Sequence, residues 1–261
     1  MARIESRFIY GGTSDVCGGP NPNEDYFCFK VLEPETLLMV IADGMGGKPS
    51  GLQPAAIAAV KAVETVERLF SIDRDIFFQN PVMMLQEAVS VANHILGAFK
   101  MANEEQHAGF AAAMTCVLVY GEKFCFVHTG NCRINHIRIQ PDGSNRITQI
   151  TVDQTAAMEQ LEDGVITWDE YYGHPDRFKL TSCLGWVNNP DFQTYEGKLK
   201  PNDMLLLTTD GVHYNIQQKY MAQIVLEAQD WQGATQGLVQ GAKMEKAQDN
   251  ATAVFFLWPK K

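Results

Sequence analysis

The sequence has little of what marks a membrane, secreted or nucleic-acid-binding chain. Its longest apolar run, 110–120, is shorter than the roughly 20 residues a bilayer-spanning helix needs. The opening MARIESRFIY lacks the basic-then-apolar layout of a secretory signal. Basic residues are outnumbered, with Lys+Arg 21 against Asp+Glu 31 and a formal net charge of -10. A surface of that sign repels phosphate backbones, so no nucleic acid is expected as a partner. The six cysteines, at 17, 28, 116, 125, 132 and 183, include no Cys-x-x-Cys pair. Several sit in apolar strand-like runs, which argues against disulfides or a zinc knuckle and for buried thiols in a reducing compartment. The expected location is cytoplasmic, with no membrane association. Ser/Gly linkers, low-complexity tracts and fixed-period repeats are missing too. The 261 residues, 46% hydrophobic, are therefore read as a single domain, 1–261, with one large core.

What is present is a series of short β-branched and apolar runs bounded by turn formers. They predict strands over 25–32, 37–42, 115–120, 123–129, 133–139, 204–208 and 251–258. Helical spacing predicts helices over 54–70, opened by Pro54, over 81–101, near 221–228 and over 235–246. Hairpin-like strand pairs with helices grouped between them indicate an α/β layered sandwich: two sheets with helices packed outside. The acidic segment 152–177, with Asp163-Gly164 and His174-Pro175, interrupts the strand pattern and is expected to run over the surface.

The chemistry-bearing feature is the recurrence of an acid at the end of a strand. The run 37–42 stops at Asp43-Gly44, and 204–209 stops at Asp210-Gly211. Asp249-Asn250 precedes the last strand, and Asn23-Glu24-Asp25 precedes the first predicted one. A carboxylate at a strand tip is rigidly placed, and a following glycine lets the chain turn so that its carbonyl also faces a cation. With no His or Cys beside them, these groups form an oxygen-only set suited to Mg²⁺ or Mn²⁺ rather than Zn²⁺. Any one Asp-Gly or Asp-Asn pair could be a plain turn former, so the weight lies in their joint occurrence.

The surrounding text resembles the metal-dependent type 2C protein phosphatases, the PPM family. Ser14-Asp15-Val16-Cys17-Gly18-Gly19-Pro20-Asn21-Pro22-Asn23-Glu24-Asp25 keeps the spacing of the family's opening motif. Asp43-Gly44-Met45-Gly46-Gly47 is similar to its Asp-Gly-Met-Gly-Gly motif. Ala113-Met114-Thr115-Cys116, Gly130-Asn131-Cys132-Arg133, the stretch 180–185, Thr209-Asp210-Gly211 and Asp249-Asn250-Ala251-Thr252 follow in the family's order. The resemblance implies a β-sandwich flanked by helix pairs, with 152–177 as a flap, and a phosphorylated protein as substrate. It implies that Asp43 bridges two Mn²⁺ or Mg²⁺ ions, that Glu24 and the Gly44 carbonyl bind one, and that Asp210 and Asp249 bind the other. Asp25 would accept hydrogen bonds from metal-held waters. Catalysis would follow from hydroxide shared by the two ions and aimed at the phosphorus of phosphoserine or phosphothreonine.

The chain also departs from the pattern. Pro20 stands at the position of a phosphate-clamping Arg, and Cys17 at that of a Gly. Asn131 and Tyr214 replace acids that serve a third, weaker metal site, which is therefore expected to be absent. Met45 sits where eukaryotic members carry a His. These losses keep a second reading open, a weakly active or inactive pseudophosphatase that binds phosphoproteins as a regulatory module. Nucleotide binding by 44–47 is a poor reading because Pro49 stands where a glycine is required. His128 is expected to be a satisfied strand histidine. Either His213 or its neighbour Tyr214 faces the metal site, and Arg133 is either buried and paired or in contact with substrate.

Overall fold

The computed structural model describes residues 6–20, 22–46, 53–102, 104–186 and 189–259. Asn21, Gly47 and Pro49, which bear on the motif and nucleotide readings, lie outside the described residues, as does the start of the opening segment. The strands are β1 (Ile9–Asp15), β2 (Asp25–Glu33), β3 (Thr36–Met45), β4 (Ala111–Tyr120), β5 (Lys123–Thr129), β6 (Arg133–Ile139), β7 (Asn145–Gln149), β8 (Gln193–Lys198), β9 (Met204–Thr208) and β10 (Ala251–Leu257). The helices are α1 (Pro54–Ile72), α2 (Arg74–Gln79), α3 (Pro81–Ala102), α4 (Glu104–His107), α5 (Ala156–Glu162), α6 (Trp168–Tyr171), α7 (Asp210–His213), α8 (Gln218–Glu227) and α9 (Trp231–Met244).

Among the described residues the strands form two five-stranded antiparallel sheets, ordered β1-β10-β9-β6-β7 and β2-β3-β4-β5-β8. Strand β3 shows how the sequence builds the layers. Successive side chains of a strand point to opposite faces. Leu37, Met39 and Ile41 enter the core between the sheets, where they meet Leu205, Leu207, Val254 and Phe256. Leu38, Val40 and Ala42 face outward onto α1 and α3. Both faces are buried, so the strand reads as one continuous apolar run instead of an alternation. Leu206, Ala251, Ala253 and Phe255 cover the opposite outer face beneath α8 and α9. The expected sandwich with helices on both sides is thus observed.

Helix α3 is long and apolar enough by composition to cross a membrane, yet Leu85, Ala88, Val89, Ala92 and Leu96 are buried in the core that α1 shares. The sequence reading missed β1, β7 and β8, which are all edge strands. Edge strands bury one face at most and carry glycine and polar residues, as IYGGTSD and QTYEGK do. Asp210-Gly211, expected as a turn, begins the short helix α7. The segment 152–177 is more than a loop over the surface: it folds into α5, α6 and a 3-10 turn (Pro175–Phe178), with Ala157, Met158 and Tyr171 forming a small core of their own.

Candidate active site

Five acids meet where the two sheets end together. Asp25 opens β2 and lies directly opposite Asp43 across the β2–β3 ladder. Two like charges in that relation repel one another. Asp210, the first residue of α7, arrives from the other sheet, as does Asp249 just before β10. Burial first, then Asp210, Asp25, Asp249 and Glu24, push the Asp43 carboxyl well above its ordinary range. Burial, opposed by hydrogen bonds from Thr252 and Thr209, pushes Asp25 up to about 7, with Asp249 and Glu24 adding to the rise. Asp210 is also raised to about 7, by burial and then by Asp249 and Asp25. Asp25, Asp43 and Asp210 are thus each raised by burial and by acidic neighbours, although the five acids come from four separate parts of the chain.

The supporting hydrogen bonds are specific. The Thr209 hydroxyl donates to Asp25 Oδ2 at 2.7 Å and accepts from the Thr252 backbone N–H at 3.0 Å, tying β9 to β10 and β2. Asn131 Nδ2 donates to Asp210 Oδ2 at 3.1 Å, while the buried Asp210 Oδ1 has no hydrogen-bond partner among the described residues. The Gly44 N–H donates to the Glu24 carbonyl at 3.1 Å and so fixes the two chain segments together. Gly46 has φ +82, and a Cβ there would lie 2.3 Å from the Gly109 backbone. Only glycine fits this turn after Met45.

Asn250, which the sequence reading quoted in a motif without giving it a role, proves to be the organiser. It is 1% exposed. Its Oδ1 accepts from the Glu24 N–H at 2.7 Å, and its Nδ2 donates to the carbonyls of Val16 at 3.1 Å and Pro20 at 2.8 Å. Gly211 packs so closely that a Cβ would lie 2.0 Å from the Asn250 carbonyl oxygen. One side-chain amide therefore sets Glu24 and the 16–20 loop in register, while the Asn250 backbone N–H donates to Asp249 Oδ1 at 2.8 Å; the signal for this residue was its place beside Asp249. Asn250→Ala strands three polar groups, and is expected to cost about 2 to 3 kcal/mol of stability in urea unfolding. A loss below about 0.5 kcal/mol would remove it from this role.

Other expected residues fall away from the acids. His128 is fully buried, with Nδ1 2.8 Å from the Thr115 hydroxyl, and burial holds it near 4 and therefore neutral. His213 Nδ1 lies 2.9 Å from the Thr208 hydroxyl, and burial and Arg133 hold the ring neutral. Its charged neighbours are Arg133, Asp153 and Arg177, not the acid cluster. Arg133 proves to be buried and paired, donating to Asp153 through Nε at 2.8 Å and Nη2 at 2.6 Å. Burial opposes ionisation of Asp153, yet the guanidinium holds its carboxyl below the usual range. The Tyr214 hydroxyl donates to the Arg177 carbonyl at 2.7 Å. Cys17, in the family's glycine position, adopts φ 46, the left-handed conformation that glycine favours. All six cysteines are free thiols.

The residues present suit a hard divalent cation. Their side chains offer carboxylate oxygens only, their repulsion calls for positive charge, and Asp210 Oδ1 is buried without a partner among the described residues. As the side chains stand, no three His, Cys, Asp or Glu among the described residues already converge on one point as a closed clamp would. The cluster is open, with Asn131 and Thr209 holding two of its acids.

Comparison with known proteins bears on the same region. A model of the family Protein phosphatase 2C matches residues 18–247. Protein phosphatase PhpP of Streptococcus pneumoniae is 26% identical over 242 residues, covering 92% of this chain and 93% of its own. The crystal structure of serine/threonine phosphatase Stp1 from Staphylococcus aureus superposes with a TM-score of 0.85 at 20% identity, over 100% of this chain and 98% of that one. The catalytic domain of serine threonine protein phosphatase PstP, solved in complex with 2 manganese ions, gives a TM-score of 0.78 at 22% identity, over 97% and 99%. With the family model matched across most of its length, this chain belongs to the protein phosphatase 2C family, the PPM-type metal-dependent Ser/Thr phosphatases.

Proposed function

We propose that the five acids are the working centre of this phosphatase and that they hold two Mn²⁺ or Mg²⁺ ions for hydrolysis of phosphoserine and phosphothreonine in proteins. Asp43 serves both ions, Glu24 and the Gly44 carbonyl hold one, and Asp210 with Asp249 hold the other. The observation that carries this reading is the convergence of Asp25, Asp43 and Asp210, buried acids raised by burial and by their acidic neighbours, with Asp25 directly opposite Asp43 and Asp210 Oδ1 buried; a cation would offset that crowded charge. When bound, such a pair supplies Lewis-acid activation of the attacking water and neutralises phosphoryl charge. Asp25, steadied by the Thr209 hydroxyl, orients water at the centre. His128 and His213 are neutral and bonded elsewhere, so neither serves as the general acid.

Asn131 and Tyr214 bring no carboxylate to a third site, and both are engaged already, the first with Asp210 and the second with Arg177. Two ions, not three, are the expected complement. We take 1–261 as one cytoplasmic catalytic domain with 152–177 as its flap. In the deciding experiment, Mn²⁺ supports hydrolysis of a phosphothreonine peptide and excess EDTA abolishes it. Undiminished hydrolysis in EDTA would overturn the metal reading, and no hydrolysis with Mn²⁺ would favour the pseudophosphatase.

Pro20 leaves the centre without a bidentate guanidinium for the phosphate. The Pro20 carbonyl is held by Asn250, a contact that any residue there retains. Pro20→Arg is accordingly expected to lower KM for phosphopeptide by about tenfold, the effect of a charge-assisted bond worth ~1.5 kcal/mol. A folded variant with KM unchanged or raised would show that position 20 does not face the phosphate.

A further inference from the structure

We propose that Tyr214 is a positioning residue, a clasp that fastens the root and tail of the 152–177 flap to α7 and thereby sets how the flap receives a phosphopeptide. Tyr214 caps the C-terminus of α7, its N–H donating to the Asp210 carbonyl at 2.9 Å, so it is anchored one turn from the acid cluster. Its hydroxyl reaches the flap twice. It donates to the Arg177 carbonyl in the tail at 2.7 Å and lies 3.3 Å from Asp153 Oδ2 in the root.

The ring is held as firmly as the hydroxyl. Phe178 meets it edge-on with centroids 5.2 Å apart, and His213 does so at 4.8 Å. The Arg177 guanidinium carbon lies 4.7 Å from the ring centroid and that of Arg133 5.4 Å. Burial, followed by Asp153, pushes the phenol far above its ordinary range, so it remains a donor.

Root and tail also meet each other at this place. Thr155 bridges Leu180, and the Ala156 N–H donates to the Lys179 carbonyl at 2.8 Å. The root also touches the turn at Gly130 directly. The Gly130 N–H donates to Gln154 Oε1 at 2.7 Å, and the Gln154 N–H donates to the Gly130 carbonyl at 2.8 Å. Asn131, the next residue, is the one bonded to Asp210. A cavity of about 530 Å³ lies beside the clasp, lined in part by Tyr171, Arg177, His213, Tyr214 and Lys219.

The test is Tyr214→Phe in the full chain, which keeps the ring and removes the hydroxyl. Hydrogen–deuterium exchange of amides in 168–179 is expected to accelerate about fivefold, the worth of one hydrogen bond, with β3 and β4 unchanged. Trypsin cleavage after Arg177 and Lys179 should accelerate in parallel.

The kinetic arm rests on the phosphatase reading. Phosphopeptide KM should rise about fivefold with kcat held within about twofold, while kcat/KM for p-nitrophenyl phosphate, too small to reach the flap, stays within about twofold. Unchanged exchange in 168–179, acceleration spread equally over β3 and β4, or an unchanged peptide KM would each overturn the proposal. Exchange and proteolysis need no turnover. A wild-type protein without phosphatase activity would thus refute the function while leaving the clasp to stand or fall on the exchange data.

Discussion

Asp43→Asn lowers phosphopeptide turnover by about 10³-fold and removes Mn²⁺ binding in the same variant, because the residue proposed to serve both ions loses its charge. The same substitution is expected to raise the stability of the metal-free protein. Asp43 faces Asp25 across the ladder, and Glu24, Asp210 and Asp249 add to the repulsion. A group whose folded pKa lies above its unfolded value contributes stability that is fully present below the unfolded pKa and is lost as pH rises through the folded one. For Asp25 and Asp210 that window runs from about pH 4 to about 7, the values to which they are raised. EDTA-treated wild type should therefore lose thermal stability between those pH values, and Mn²⁺ should restore it. Asp43→Asn should flatten the loss. A variant that keeps metal affinity and turnover, or a metal-free protein whose stability rises over this interval, would contradict the assignment.

Arg133→Leu carries the second large effect. Asp153 is fully buried and receives Arg133 Nε, Arg133 Nη2 and the Tyr171 hydroxyl, the last at 2.8 Å. Removing the guanidinium leaves a buried charge without its counterion, at a cost of about 3 to 5 kcal/mol. The pair's own pH dependence runs opposite to that of the acid cluster. Because the folded Asp153 pKa is depressed, its stabilisation is present above the usual aspartate value and is lost as pH falls through the folded one. Urea unfolding at neutral pH measures the loss. The double variant Arg133→Leu, Asp153→Leu should recover a good part of it, since two apolar residues bury at less cost than one lone charge. A single-variant loss under about 1 kcal/mol would mean that Asp153 finds other compensation.

The layers were legible because strands such as β3 and β9 are buried on both faces and advertise themselves as unbroken apolar runs. Strands β5, β6 and β9 begin and end as the sequence suggests. Helix α9 starts earlier than its apolar spacing indicates, because Asp230 caps it by accepting from the Gly233 N–H. Edge strands carry no comparable signal. Helices α5 and α6 depend on local caps at Thr155 and Thr167 that periodicity does not register.

At the site, the acids were visible as strand-end residues, whereas their supports were not. Asn250 bonds across more than 200 residues of chain to Glu24 and the 16–20 loop, and Thr209 reaches Asp25 over a similar distance. Neither contact leaves a local pattern in the sequence. The sequence alone does not decide between core and substrate for Arg133, because its partner, Asp153, lies in a segment whose acidic text suggests solvent.

Anomalous diffraction at the manganese edge from crystals of the protein grown with Mn²⁺ tests the central claim most directly. The account predicts two peaks about 3.5 to 4 Å apart, joined by Asp43, one also touched by Glu24 and the Gly44 carbonyl and the other by Asp210 and Asp249. Peaks elsewhere, a single peak, or a third well-occupied ion with Asn131 or Tyr214 as a ligand would contradict it.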